Sequence, residues 1–98
     1  MTEADFARDL ERSIEQTKEL GYNPTYFRKM MAAHGALATA QRLLTTPDVS
    51  EGFYTLARLQ RIDLTLEAIV LKHAALFTAE ELMTAQQRLE EARTWSGP

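Results

Sequence analysis

One stretch of this chain, Ile62 to Leu71, has the period of a β-strand, and nothing else in the sequence offers it a convincing partner. Ile62, Leu64, Leu66 and Ala68 alternate with Asp63, Thr65 and Glu67, the two-residue repeat of a half-buried strand. A lone strand leaves its own N–H and C=O groups unpaired, and a folded interior does not tolerate that. Wound as a helix, the same segment carries Leu64, Leu66, Ala68, Ile69, Val70 and Leu71 nearly all round its axis. Such a helix belongs in the middle of a bundle. The expected fold is therefore all-α: a compact bundle of five or six short helices around a buried central helix at about 64–71.

The rest of the chain is punctuated as helices. Phe6, Leu10 and Ile14 recur every four residues within a helix expected over 3–20, with Ala7 and Thr17 beside them and Glu11, Glu15 and Glu19 opposite. Thr2 can cap its start and Gly21 can supply the left-handed residue at its end. Asn23-Pro24 reads as the cap and first residue of the next helix. Phe27, Met30, Met31 and His34 then form one stripe, with the methionine pair read as core, until Gly35 ends or bends the helix. Ala36 to Leu44 is a further short helix, and Thr45-Thr46-Pro47-Asp48 is the clearest loop. Ser50 is expected to cap a helix over about 51–60 that packs through Phe53, Leu56 and Ala57. Phe77 to Leu82 carries two start signals at once, a Thr78–Glu81 capping box and a Phe77–Leu82 hydrophobic staple. The last helix is expected to run to about Arg93.

At 98 residues the chain allows one small domain, assigned to 1–94, with 95–98 as a loose tail. It has no cysteine, which excludes disulfides, thiol nucleophiles and Cys-based metal sites. No apolar run approaches the roughly 20 residues of a membrane span. The acidic start Met1-Thr2-Glu3-Ala4-Asp5 has neither the basic nor the apolar region of a secretory signal. These features predict a cytoplasmic protein without a membrane partner.

Little in the sequence points to catalysis. His34 and His73 are the only histidines, neither has metal-ligand spacing, and both read as helix-end residues meeting free carbonyls. No serine sits in a Gly-x-Ser-x-Gly surround, and glycines 21, 35, 52 and 97 are too scattered for a phosphate loop. The chain is thus expected to be no enzyme, with no catalytic residue, no cofactor and no bound metal.

Charge is more informative. Residues 1–20 hold six acids and three bases, 21–61 two acids and five bases, and 62–98 six acids and three bases. A basic centre lies between acidic ends. Within it Tyr54, Arg58 and Arg61 stand at i, i+4 and i+7 if the helix continues through 61, opposite Phe53, Leu56 and Ala57. Arg28 and Lys29 lie on the outward face of an earlier helix. Tyrosine with arginine is the composition of protein-binding hot spots and also suits nucleic-acid stacking and phosphate contact. A solvated Tyr–Arg stack is the plainer reading of the same residues.

The run Gly21-Tyr22-Asn23-Pro24-Thr25-Tyr26-Phe27, then Gly35 to Leu44, Glu51-Gly52-Phe53, Arg61 to Leu71 and Leu76 to Leu82, resembles a small all-helical bacterial module of unassigned function. That module occurs alone and at the C-terminal ends of larger, unrelated chains. The resemblance spans about residues 21–89. It implies no catalytic residue, and a module appended to varied chains implies docking or recognition. The leading expectation is a protein–protein interaction or adaptor module regulating a larger partner, with homo-oligomerisation open. Two alternatives stand beside it. One is a small acidic inhibitor of a nucleic-acid-handling system of the phage or anti-defence kind. The other is a nucleic-acid accessory using Arg28, Lys29, Arg42, Arg58 and Arg61.

Overall fold

Six α-helices and two 3-10 turns make up the computed structural model, which describes residues 2–95. α1 covers Glu3–Glu19, α2 Thr25–His34, α3 Ala36–Leu44, α4 Glu51–Arg58, α5 Leu66–Lys72 and α6 Ala79–Trp95, with 3-10 turns at Ile62–Leu64 and Ala74–Leu76. No strand occurs among the described residues, and the fold is an all-α bundle. Its Cα radius of gyration, 12.5 Å, is close to the roughly 12.6 Å expected for a compact chain of this length.

The apolar stripes meet around α5, which packs against both α6 and α1 while α3 bridges the same two helices. Phe6 and Leu10 of α1, Ala40 and Leu44 of α3, Ile69 and Val70 of α5 and Ala85 of α6 form one core cluster. Phe53 and Ala57 of α4 pack on Leu89 and Ala92 of α6 in a second, and Leu71 touches both. α2 is the least embedded helix, with no buried residue. Phe27 and Met31 lean on the main cluster from the half-buried side.

Most helix ends are made by the devices the sequence advertises. Thr2 and Asp5 cap each other reciprocally at the start of α1. Its end is a Schellman turn, with the Gly21 N–H on Lys18 O and the Tyr22 N–H on Thr17 O while Gly21 sits at φ 99°. Ser50 accepts from the Phe53 N–H. Thr78 and Glu81 exchange bonds of 2.9 and 3.1 Å, and Phe77 meets Phe6 edge-on at 5.2 Å. Gly35, at φ 84°, turns the chain between α2 and α3.

Four boundaries differ from expectation. Pro24, not Asn23, occupies the cap position of α2, and the Asn23 side chain instead accepts from Arg28 at 3.3 Å. The stretch 62–71 is not one helix. Thr65 stands in extended backbone, gives its hydroxyl proton to Ile62 O and accepts from the Ala68 N–H, so α5 starts afresh behind it. A threonine that satisfies the backbone locally competes with helix continuation, which is why the break falls there. α4 stops at Arg58, short of 60, in a second Schellman turn: Gln60 N–H reaches Ala57 O and Arg61 N–H reaches Leu56 O. Gln60 takes the left-handed position at φ 60°, where glycine is usual. α6 reaches Trp95, two residues beyond Arg93, and the rest of the expected tail lies outside the described residues.

Candidate functional site

Two regions carry polar chemistry that the core does not require. The first is the outward side of α4 and α2. Tyr54 and Arg58, one turn apart, are both exposed and lie opposite the buried Phe53, Leu56 and Ala57, as the spacing demands. Arg61 does not join them. Because α4 ends at Arg58, Arg61 leaves the helix, and its guanidinium makes two 3.1 Å bonds to the Asp63 carboxylate. That bond holds the Asp63 carboxyl below its ordinary range and raises the Arg61 guanidinium further. Asp63 therefore serves Arg61, while Thr65 caps α5. Arg28, Lys29 and Arg42 are exposed; Arg28 touches Asn23. Among the described residues, Arg28, Lys29, Arg42 and Arg58 make no ion pair, and outside the basic centre Lys72 makes none either, whereas Arg8, Arg12, Lys18, Arg61 and Arg88 all do. The uncompensated positive charge of the basic centre thus sits on α2–α4. Beside it lie Tyr26, 74% exposed, and Tyr54, 46% exposed.

The second region is a cavity of about 250 Å³ between α1, the first turns of α2 and α4, and the Leu64–Glu67 junction. Leu10, Ile14, Phe27, Phe53, Leu56 and Leu66 supply its apolar wall. The Gly21 turn brings Tyr22 back across the start of α4, where a methyl group added at Gly52 would lie 3.6 Å from the Tyr22 ring. Tyr22 and Tyr26 line the cavity where it meets the surface. Burial, and then the Glu51 carboxylate, raise the Tyr22 phenol above its usual range.

Two polar pairs that the sequence reading missed tie the helices together, one buried and one half-buried. Arg88 of α6 is 8% exposed and Glu67 of α5 is 3% exposed, and they meet at 3.1 Å. Arg88 also donates to Leu43 O at 3.0 Å and Thr46 O at 2.6 Å, closing the C-terminal end of α3. Burial pushes the Glu67 carboxyl above its ordinary range, against its own backbone N–H and Arg88, which pull it down. A signal existed in the sequence: Arg88 falls on the stripe Ala85, Leu89, Ala92, where a charged residue has to be paired. His73 does stand at a helix end, as the C-cap of α5, but its ring is buried and meets a carboxylate rather than free carbonyls. It is 2% exposed, bonds Asp9 across 64 positions at 2.7 Å through Nε2, and packs edge-on against Phe6. This bond is the main cause that lowers the Asp9 carboxyl. His34 is exposed at the end of α2.

Among the described residues no group of three histidine, aspartate or glutamate side chains is arranged to hold a metal ion, and no helix is long and apolar enough to cross a membrane. Comparison with known proteins yields no matching family model, no matching curated protein and no matching solved structure.

Proposed function

We propose that this chain is a small non-catalytic module that docks a larger bacterial protein in the cytoplasm and regulates it, with Tyr54 and Arg58 as the anchors. The observation that carries the reading is the segregation of charge. Four exposed cations without an ion pair share α2–α4 with two exposed tyrosines. Arg and Tyr are the residues most often responsible for binding energy at protein interfaces. Arg28 and Lys29 extend the surface on α2, whose first turn meets that of α4 across the cavity. Arg61 is a poorer anchor, because a partner carboxylate has to displace Asp63. The resemblance to a module found alone or at the ends of larger chains fits a docking role. It gives no support to a catalytic one.

The test is affinity capture from a bacterial lysate with the wild-type chain, identification of the retained protein, and titration of that protein against Tyr54→Ala and Arg58→Ala. Each variant is expected to weaken binding at least tenfold while stability changes by under about 0.5 kcal/mol, the usual range for exposed positions. A steep loss of affinity with salt would instead mark a nucleic-acid partner, since each neutralised phosphate releases counterions. Unchanged binding in variants that have lost stability would make the Tyr54–Arg58 face structural and defeat the proposal.

A further inference from the structure

The cavity supports a separate reading. We infer that it is a binding site for a small apolar molecule, about the size of a bicyclic ring, that brings an N–H or O–H donor and no negative charge. Size sets the first limit. Buried apolar cavities of about 150 Å³ admit benzene, and this one is about 250 Å³, enough for a second fused ring. It also reaches the core, because Leu10 and Phe53 in its wall are each only 2% exposed.

The polar atoms set the second limit. Ser13, Thr17, Thr65 and Glu67 line the cavity, and each hydroxyl proton among them is already spent. Ser13 donates to Leu64 O, Thr17 to Ser13 O and Thr65 to Ile62 O. A hydroxyl that has given its proton away presents lone pairs only. The Glu67 carboxylate is also acceptor-only, with Arg88 on Oε2. These four side chains therefore offer acceptor lone pairs and no donor proton, and a ligand that brings its own donor to them adds a hydrogen bond that a hydrocarbon cannot make. Charge sets the third limit. Glu51 and Glu67 both line the space, and no lysine, arginine or histidine does. An anion would face the Glu51 carboxylate and the Arg88-paired Glu67, with no cation in the wall to receive it. Donor protons of the lining lie at the start of α4, where the Ser50 and Tyr22 hydroxyls both stand beside Gly52, and a ligand that also carries an acceptor can meet them there.

The experiment uses the full chain, labelled with ¹⁵N and ¹³C, titrated with indole, with benzofuran as the isostere lacking the N–H, and with indole-3-carboxylate as the anion. Indole is expected to shift the amides of Ser13, Thr17 and Gly52, to give intermolecular NOEs to the Ile14 and Leu66 methyl groups, and to bind at least tenfold tighter than benzofuran. At a hundredfold excess over Kd it is expected to raise Tm by roughly 10 °C. Indole-3-carboxylate is expected not to bind. Leu66→Trp, which fills the space, is expected to abolish the indole shifts, and the wild-type NOEs decide the matter if that variant does not fold. The inference is overturned if indole shows no saturable effect, if its contacts fall on exposed Met83 or Leu59, or if all three probes bind alike. Such a failure leaves the docking proposal standing, because that rests on Tyr54 and Arg58.

Discussion

Arg88 is the residue whose loss the fold is least able to absorb. Replacing it with methionine keeps most of its aliphatic volume but removes three bonds: one to the Glu67 carboxylate, one to Leu43 O and one to Thr46 O. Glu67 is then a carboxylate 3% exposed with no cation beside it. Breaking a buried ion pair from one side costs about 3–5 kcal/mol, mostly the burial of the charge left behind. A 98-residue domain has only about 5–15 kcal/mol in total. With a urea dependence of about 1.5 kcal/mol per molar, the midpoint should fall by about 2 M or more. Arg88→Met paired with Glu67→Leu should recover much of this loss, because no buried charge remains, and the double-mutant cycle isolates the coupling.

The pH dependence gives an independent check. Burial already raises the Glu67 carboxyl, and without Arg88 it rises further. A carboxyl with a raised folded pKa binds its proton more tightly in the folded than in the unfolded state. Stability then falls as pH climbs from the unfolded value of about 4.5 through the folded one. Arg88→Met should therefore be less damaging at pH 5 than at pH 8, measured against wild type by urea denaturation at each pH. A loss under about 1 kcal/mol, equal at both values, would refute the reasoning.

Three smaller predictions follow from particular atoms. Gln60→Gly places the usual residue at φ 60° in the Schellman turn closing α4, and should raise stability by about 0.5–1 kcal/mol in chemical denaturation. Thr39 is fully buried and its hydroxyl has no partner among the described residues, so Thr39→Val should stabilise by about 1 kcal/mol, seen as a higher Tm. The Asp9 carboxyl is held low by His73, so its contribution is complete above its unfolded value near 3.8 and is lost as pH falls through the lower folded value. The gap in urea midpoint between wild type and Asp9→Asn should be open at pH 7 and narrow progressively as the pH falls below 3.8.

The fold was legible wherever a helix end is decided within four residues. Thr2 with Asp5, Gly21 with its Schellman bonds, and Thr78 with Glu81 behave as short peptides would, since each device carries its own acceptors. Legibility failed where two local rules competed. Asn23 is the better cap by residue type, yet its carboxamide turns to Arg28 and Pro24 takes the cap position. At 62–71 the apolar residues argued for one helix, and the Thr65 hydroxyl settled the break in it. No window of sequence weighs a hydroxyl against helix propagation when both readings bury the same leucines.

The sites divide in the same way, and the reason is range. That bases gather in 21–61 is a property of composition, and the exposed Tyr54–Arg58 pair follows from counting along one helix. Whether a given arginine stays available depends on what the chain places beside it afterwards. Arg61 was removed from the face by a carboxylate two residues on, once the left-handed Gln60 had ended the helix. Glu67 and Arg88 lie 21 positions apart, and Asp9 and His73 lie 64 apart, so neither pairing has a local signature beyond a polar residue standing on an apolar stripe. The cavity is further still from the sequence, because it is bounded by α1, α2, α4 and the Leu64–Glu67 junction at once and belongs to none of them. What the sequence does contribute is a run of small polar residues, Ser13 and Thr17, on the buried side of α1 where Phe6, Leu10 and Ile14 lead one to expect bulk. Small side chains on a core face either bring two helices close or leave a space between them. In this chain they line a space and turn their own hydroxyl protons away into backbone carbonyls, which is why their side of it acts as an acceptor.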